Sequence, residues 1–289
     1  MGPSAVDAAS VDQTRNRRSL LAFAYAVPIA TLGGLIGLGG AEFRLPVLAG
    51  PLRYAVRQAV PLNLSVSIIT IVASLLIRSR SLSLAPVAPF TPAVLALIAG
   101  AVVAAVGGTA LFGRLSDARL ERTILILLLV VGVALVIEGV LPQRERALLP
   151  HDATVWIVAG VLFGLGIGLV SSLLGVAGGE VIIPTLVFAY GADIKTAGTA
   201  SLLISLPTVA VGIARYASRG AYERSALVET VAPMGVGSVI GAVIGGLLVG
   251  AIPAAVLKVG LGIILIFSAW RIFRHSHAPE HGAQPPLPN

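Results

Sequence analysis

Residues 173–207 read LLGVAGGEVIIPTLVFAYGADIKTAGTASLLISLP. The stretch opens apolar, breaks at Gly175, Gly178 and Gly179, and carries Glu180 on the break. An apolar run then resumes and stops at Gly191, and a polar cluster follows at Thr199, Ser201, Ser205 and Thr208. Broken backbone and a carboxylate inside a membrane-like run are costly, so both ask for a functional reason.

The stretch has a counterpart in the first half of the chain. A shift of 138 residues, with no gap, sets Gly37 on Gly175, Gly40 on Gly178, Glu42 on Glu180 and Pro46 on Pro184. The match runs on through Leu48 and Leu186, Arg57 and Lys195, Ala59 and Ala197, Leu64 and Leu202, and Ser67 and Ser205. Apolar filler aligns anywhere, whereas aligned glycine, glutamate, proline and serine do not. The pattern reads as a duplicated unit with one broken segment in each copy.

Composition sets the class. Mean hydropathy is +0.96, 56% of residues are hydrophobic and 11% are charged, against about 25% charged in a soluble protein. An all-α integral membrane protein follows, with the lipid bilayer as its partner and no soluble domain. The net charge of +7 does not indicate nucleic acid, because the basic residues lie at the ends of apolar runs, as in membrane proteins. The absence of cysteine excludes disulfides and thiolate metal ligands. There is no HExxH, no P-loop lysine and no nucleophile elbow, and the glycines at 37–40 lack the βαβ context of a dinucleotide site. No enzyme, cofactor or metal site is expected. His275, His277 and His281 fall in a polar C-terminal tail. Arg17-Arg18 before Leu20–Ala30 could open a signal peptide, but a first membrane helix is the better reading, since cleavage near Ala30 would remove the region paired with 158–168.

Eight apolar segments cover about 20–50, 60–78, 90–112, 120–141, 154–190, 198–215, 227–250 and 254–273. They divide the chain into a tail (1–18), a first membrane repeat (19–141), a link (142–152), a second repeat (153–274) and a tail (275–289). Charged links include Arg78–Arg80, Arg114–Arg122, Arg144–Asp152 and Arg215–Arg224. Segments one and five are too long. As straight helices they would run about 46 and 55 Å, against a hydrocarbon core of about 30 Å. Each is either a broken crossing or a hairpin that enters and returns on the same side. The distribution of Lys and Arg slightly favours hairpins. Hairpins leave three crossings per copy and make the repeats inverted, a recurring transporter plan. Both arrangements put both termini in the cytoplasm. Gly160, Gly164 and Gly168, and Gly237, Gly241 and Gly245, form small-residue faces for close helix packing. Plain bundle packing is their first reading, and a homodimer seam the second.

The breaks are the best candidate site. The N-terminal end of a half-helix carries free N–H groups and partial positive charge, and can hold an anion. That singles out Gly39, Gly40 and Ala41 in the first copy and Gly178 and Gly179 in the second. The polar residues beyond them, Asn63, Ser65, Ser67 and Thr70, then Thr199, Ser201, Ser205 and Thr208, could bond an anion's oxygens or join helices. Glu42 and Glu180 either satisfy their helix ends or act as titrating groups at membrane depth. Glu42 has Arg44 two residues on and Glu180 has Ile182, so Glu180 is the better coupling candidate and Arg44 a local charge-tuner. Arg57 and Lys195 could attract anions. Glu138 is one more charge inside a span.

These motifs resemble the sulfite exporter TauE/SafE family. The resemblance rests on GLIGLGGAEFRLPVL at 34–48, on LLGVAGGEVIIPTLVFAYGADIKTAGTASLLISLPTVAVGIARY at 173–216, and on two tandem copies over nearly the whole chain. Where the family often has three consecutive glycines, this chain has Gly39-Gly40-Ala41 and Ala177-Gly178-Gly179. The resemblance implies a multi-pass transporter of the bacterial inner membrane for small sulfur-containing anions, often moved outward. The expected function is secondary transport of a sulfite-like or organosulfonate anion, bound near the midplane between the two broken helices. A passive anion channel, or a membrane-embedded accessory protein or enzyme, is the alternative.

Overall fold

Without water to bond its backbone, an apolar chain must satisfy its N–H and C=O groups internally, and helices do this within one segment. The computed structural model describes residues 5–111, 117–140, 147–174 and 177–276, and among these there is no strand. The helices are α1 (Ala5–Ile36), α2 (Ala41–Ala49), α3 (Val56–Ser81), α4 (Thr91–Leu111), α5 (Asp117–Val140), α6 (Ala153–Leu174), α7 (Gly179–Pro184), α8 (Ile194–Ser218), α9 (Arg224–Ala226), α10 (Ala232–Leu248) and α11 (Ala254–Ser276). A 3₁₀ turn at Ala85–Phe90 leads into α4, and π turns at Thr185–Ala189 and Leu227–Val231 extend α7 and join α9 to α10. Among the described residues, five helices are long and apolar enough to cross a membrane: Asn16–Ile36, Gln58–Ser81, Ala85–Val106, Ile194–Ser218 and Arg224–Leu248. The first helix begins at Ala5, so most of the segment read as an N-terminal tail is helical.

Both overlong segments are divided. Helix α1 stops at Ile36 and α2 starts at Ala41, while α6 stops at Leu174 and α7 starts at Gly179; Gly175 lies outside the described residues. The second piece does not prolong the first. The Arg18 guanidinium lies 5.1 Å over the Tyr54 ring, and Ala22 and Ala26 share a core with Leu48 and Leu52. A continuous helix would hold residues 18 and 54 about 54 Å apart. In the second half the Tyr190 ring stands edge-on to Trp156 at 5.4 Å, and its hydroxyl donates to the Trp156 carbonyl at 3.1 Å. The Leu148 and Leu149 N–H groups donate to the Phe188 and Ala189 carbonyls at 3.0 Å each. Residues beyond each break thus lie back beside the preceding helix, at Arg18 in α1 and at Trp156 in α6.

Close packing comes from glycine. Helix α6 lies on α4, where a Cβ at Gly164 would sit 2.4 Å from the Leu97 carbonyl and one at Gly168 would sit 2.3 Å from that of Ala101. Helix α10 lies on α1, where a Cβ at Gly241 or Gly245 would sit 2.2 Å from the Val27 or Thr31 carbonyl. Both small-residue faces are therefore spent inside the chain, which removes them as a homodimer seam. Helices α1 and α6 each pack on a helix of the other half. The outward surface is apolar: Leu76, Leu95, Leu162 and Leu247 are each at least 60% exposed, a patchwork suited to lipid and unsuited to water. Helices α3 and α8 meet over Leu64, Ile71, Leu202 and Val209, together with Ala41 and Ala177 from the two breaks.

Candidate functional site

Each break is made by a glycine in the left-handed region, Gly40 at φ 76° and Gly178 at φ 80°, which starts α2 and α7 respectively. A side chain there would be strained, so glycine is the natural residue. Neither helix start has a side-chain cap, and the first turn of each carries a glutamate, Glu42 or Glu180. A carboxylate there complements the positive end of the helix.

The two breaks touch. A Cβ added at Gly179 would lie 3.0 Å from the Leu38 Cα, and one at Gly39 would lie 3.7 Å from the Ala177 Cβ. Glu42 and Glu180 are electrostatic neighbours. Both carboxylate oxygens of Glu42 are buried with no hydrogen-bond partner among the described residues. The meeting point faces the middle of α3 and α8. The side chain of Ile71, in α3, lies 3.2 Å from a Cβ at Gly39, and Ser205, in α8, donates to the Ala177 carbonyl at 2.9 Å.

Arg44 is the charged centre of the first half and is fully buried. Its Nη1 donates to Ser67 Oγ at 2.9 Å and to Asn63 Oδ1 at 3.4 Å. Its Nη2 donates to the Gly39 carbonyl at 3.1 Å and to Thr70 Oγ1 at 3.0 Å. Nε has no partner. The cluster that the sequence offered to an anion therefore surrounds a guanidinium. The Ser67 and Thr70 hydroxyls donate to the carbonyls of Asn63 and Val66, at 2.8 and 3.0 Å, and Asn63 Nδ2 donates to the Ala41 carbonyl at 3.0 Å. Their lone pairs are left to face Arg44. Ser65 lies off this cluster and bonds the Pro61 carbonyl at 3.1 Å.

The second half differs. Ile182 stands where Arg44 stands in the first half. Ser205 and Thr208 donate to the carbonyls of Ala177 and Ile204, and Ser201, fully buried, has an Oγ with no hydrogen-bond partner. The Lys195 ammonium lies on the Gly250 carbonyl at 3.2 Å. The side chains of Arg57 and Glu138 lie outside the described residues.

Arg78 is a correction. Its position at the end of an apolar run reads as an exposed link with Arg80, but in the structure it is fully buried within α3 while Arg80 is exposed. Its Nε and Nη2 donate to the carbonyls of Gly34 and Leu35 at 3.0 and 2.8 Å, the last turn of α1. Its Nη1 reaches Thr199 Oγ1 at 2.9 Å and the Lys195 carbonyl at 3.3 Å. The C-terminal carbonyls of a helix lack intrahelical donors and carry partial negative charge, so a cation satisfies both needs. The one local signal was geometric: residues two apart on a helix point roughly 200° apart, so Arg78 and Arg80 cannot share a face. Toward the other end of the bundle, Arg215 donates to the Ala105 carbonyl.

A family model described as Sulfite exporter TauE/SafE matches residues 21–272. No curated protein and no solved structure matches the chain.

Proposed function

The chain belongs to the sulfite exporter TauE/SafE family, and from that premise we propose that it carries a small sulfur-containing anion, sulfite-like or an organosulfonate, out of the cell. The protein is a multi-pass membrane protein of a transporter family, not an enzyme family. The observation that carries the reading is the contact between the two breaks, Leu38 against Gly179 and Gly39 beside Ala177, around a buried arginine. The anion sits between the breaks, against the backbone at Gly39–Ala41 and Gly178–Gly179. In the second half its contacts come from the cluster of Ser201, Ser205 and Thr208, and Ser201 has a hydroxyl still to spend. Asn63 and Ser67 act on the anion through Arg44. Glu180 is the coupling candidate, and Arg44 tunes the charge beside Glu42. Lys195 and Arg57 would attract anions.

The membrane arrangement we propose is two inverted repeats, each a re-entrant hairpin followed by three crossings, with both termini in the cytoplasm of a bacterial inner membrane. The ring contacts of Tyr54 with Arg18 and of Tyr190 with Trp156 support hairpins. The ends of α1 and α6 at Ile36 and Leu174, and the starts of α3 and α8 at Val56 and Ile194, differ by the same 138 residues as the sequence match, which supports duplication. The inside-negative potential favours anion exit by about 2.3 kcal/mol per charge per 100 mV, so uniport can export.

The test is flux from proteoliposomes loaded with sulfite, taurine, isethionate or sulfoacetate. Saturable efflux of a sulfur anion, lost in S201A/S205A, supports the proposal. Efflux that never saturates marks a channel, and no efflux of any sulfur anion ends the substrate assignment.

A further inference from the structure

Resting on the anion-transport reading for its physiological meaning, we infer that the Arg44 guanidinium is a covalently tethered cation filling an oxygen-lined cation site, and so serves as the resident counter-charge of the transported anion. Four acceptors converge on it: the Gly39 carbonyl, Asn63 Oδ1, Ser67 Oγ and Thr70 Oγ1, at 2.9–3.4 Å. All three side chains are fully buried. The direction of every neighbouring bond matters. Both hydroxyl protons are spent on carbonyls one turn back, and the Asn63 amide donates an N–H to Ala41 while its oxygen faces the guanidinium. The four atoms that face the guanidinium therefore offer it lone pairs. Such a surface repels an anion and suits a hard cation, which prefers neutral and charged oxygen ligands. No carboxylate belongs to the four, so the site suits a single positive charge.

The second half isolates the role of the arginine. Ile182 replaces it, Ser201 replaces Asn63, and the Ser201 hydroxyl is left without a partner. One half thus holds a fixed positive charge and the other a polar surface with a donor to offer. A carrier built this way needs no free sodium or potassium to offset the charge of its substrate, because the cation never leaves. Arg44 is on this account a positioning residue and not a contact for every oxygen of the anion. It reaches the anion through its field and through Nε, which has no hydrogen-bond partner among the described residues.

Removing the side chain should leave a site that a free cation can enter. The experiment measures thermal unfolding of the purified full chain, wild type and R44A, in sodium, lithium, potassium, guanidinium or N-methylglucamine chloride at equal ionic strength. R44A is expected to gain several degrees, saturably, in at least one small cation over N-methylglucamine, and wild type is expected to gain none. The gain should vanish in R44A/S67A/T70V, which lacks two of the four oxygens. An R44A protein that melts alike in every salt overturns the inference, as does one that cannot be recovered folded even with sodium or guanidinium present. A second readout avoids the variant: wild-type anion flux should be unchanged when sodium and potassium are replaced on both sides by N-methylglucamine, and a strict requirement for either ion overturns the inference. The melting arm does not depend on the substrate, so cation binding by R44A without any sulfur-anion transport would keep the cation site and retire the transport reading alone.

Discussion

Replacing Arg78 by methionine keeps most of the side chain's length and apolar stem and removes the guanidinium. The structure sets the cost. The guanidinium makes four hydrogen bonds, of 2.8–3.3 Å, to two carbonyls ending α1, to the Lys195 carbonyl and to the Thr199 hydroxyl. Thr199 also donates to the Lys195 carbonyl at 3.0 Å, so that acceptor keeps a partner. The Gly34 and Leu35 carbonyls lose their donor inside the protein, at about 1–3 kcal/mol each. Removing the buried charge returns part of its desolvation cost, so the net loss is about 4 kcal/mol rather than the sum of four charged hydrogen bonds. At roughly 2–4 °C per kcal/mol, thermal unfolding of R78M in detergent should fall by about 10 °C. R78K keeps a charge but not the planar fork, and should lie between. The same change frees the tip of α1, so anion flux should drop more steeply than stability. A melting temperature within about 2 °C of wild type would refute the claim that Arg78 secures the break.

Other outcomes follow from the same contacts. G164A should destabilise by about 1–3 kcal/mol through overpacking, because its Cβ would meet the Leu97 carbonyl at 2.4 Å, whereas G166A on the same helix meets nothing within 4 Å and should be neutral or slightly stabilising; paired melting curves decide. The protein has no cysteine, so single cysteines can report sidedness. With re-entrant hairpins L148C and D193C react with an impermeant thiol reagent from the same face, and with broken crossings from opposite faces. E180Q should flatten the pH dependence of anion flux, and a variant still fully active and pH-responsive would remove Glu180 from coupling.

Much of the fold was legible because membrane helices are written locally. The described residues are helical without a strand, five helices are long and apolar enough to cross a membrane, and the glycine breaks fall where α2 and α7 start, since a residue that must adopt positive φ is named by its own type. The direction of the chain after each break was not legible. It depends on contacts such as Arg18 with Tyr54 and Leu149 with Ala189, which no window of periodicity reports. Arg44 was visible as a charge beside Glu42, but not its cradle. Asn63, Ser67 and Thr70 lie 19–26 residues on, and whether a hydroxyl offers a proton or a lone pair is settled only by its neighbours. Arg78 was misread for a related reason. A basic residue at the end of an apolar run ordinarily marks the membrane surface, and its acceptors lie 43–121 residues away.

The most direct test of an anion site between the breaks is stabilisation of the purified protein by ligand. Wild type, S201A, S205A and E180Q would be melted against sulfite, sulfate, thiosulfate, taurine, sulfoacetate, isethionate, acetate and chloride. Binding raises the melting temperature with ligand concentration. The account predicts a saturable rise confined to sulfite or sulfonates in wild type, lost or much reduced in S201A and S205A. A rise that persists unchanged in these variants, or no rise with any sulfur anion, would contradict it.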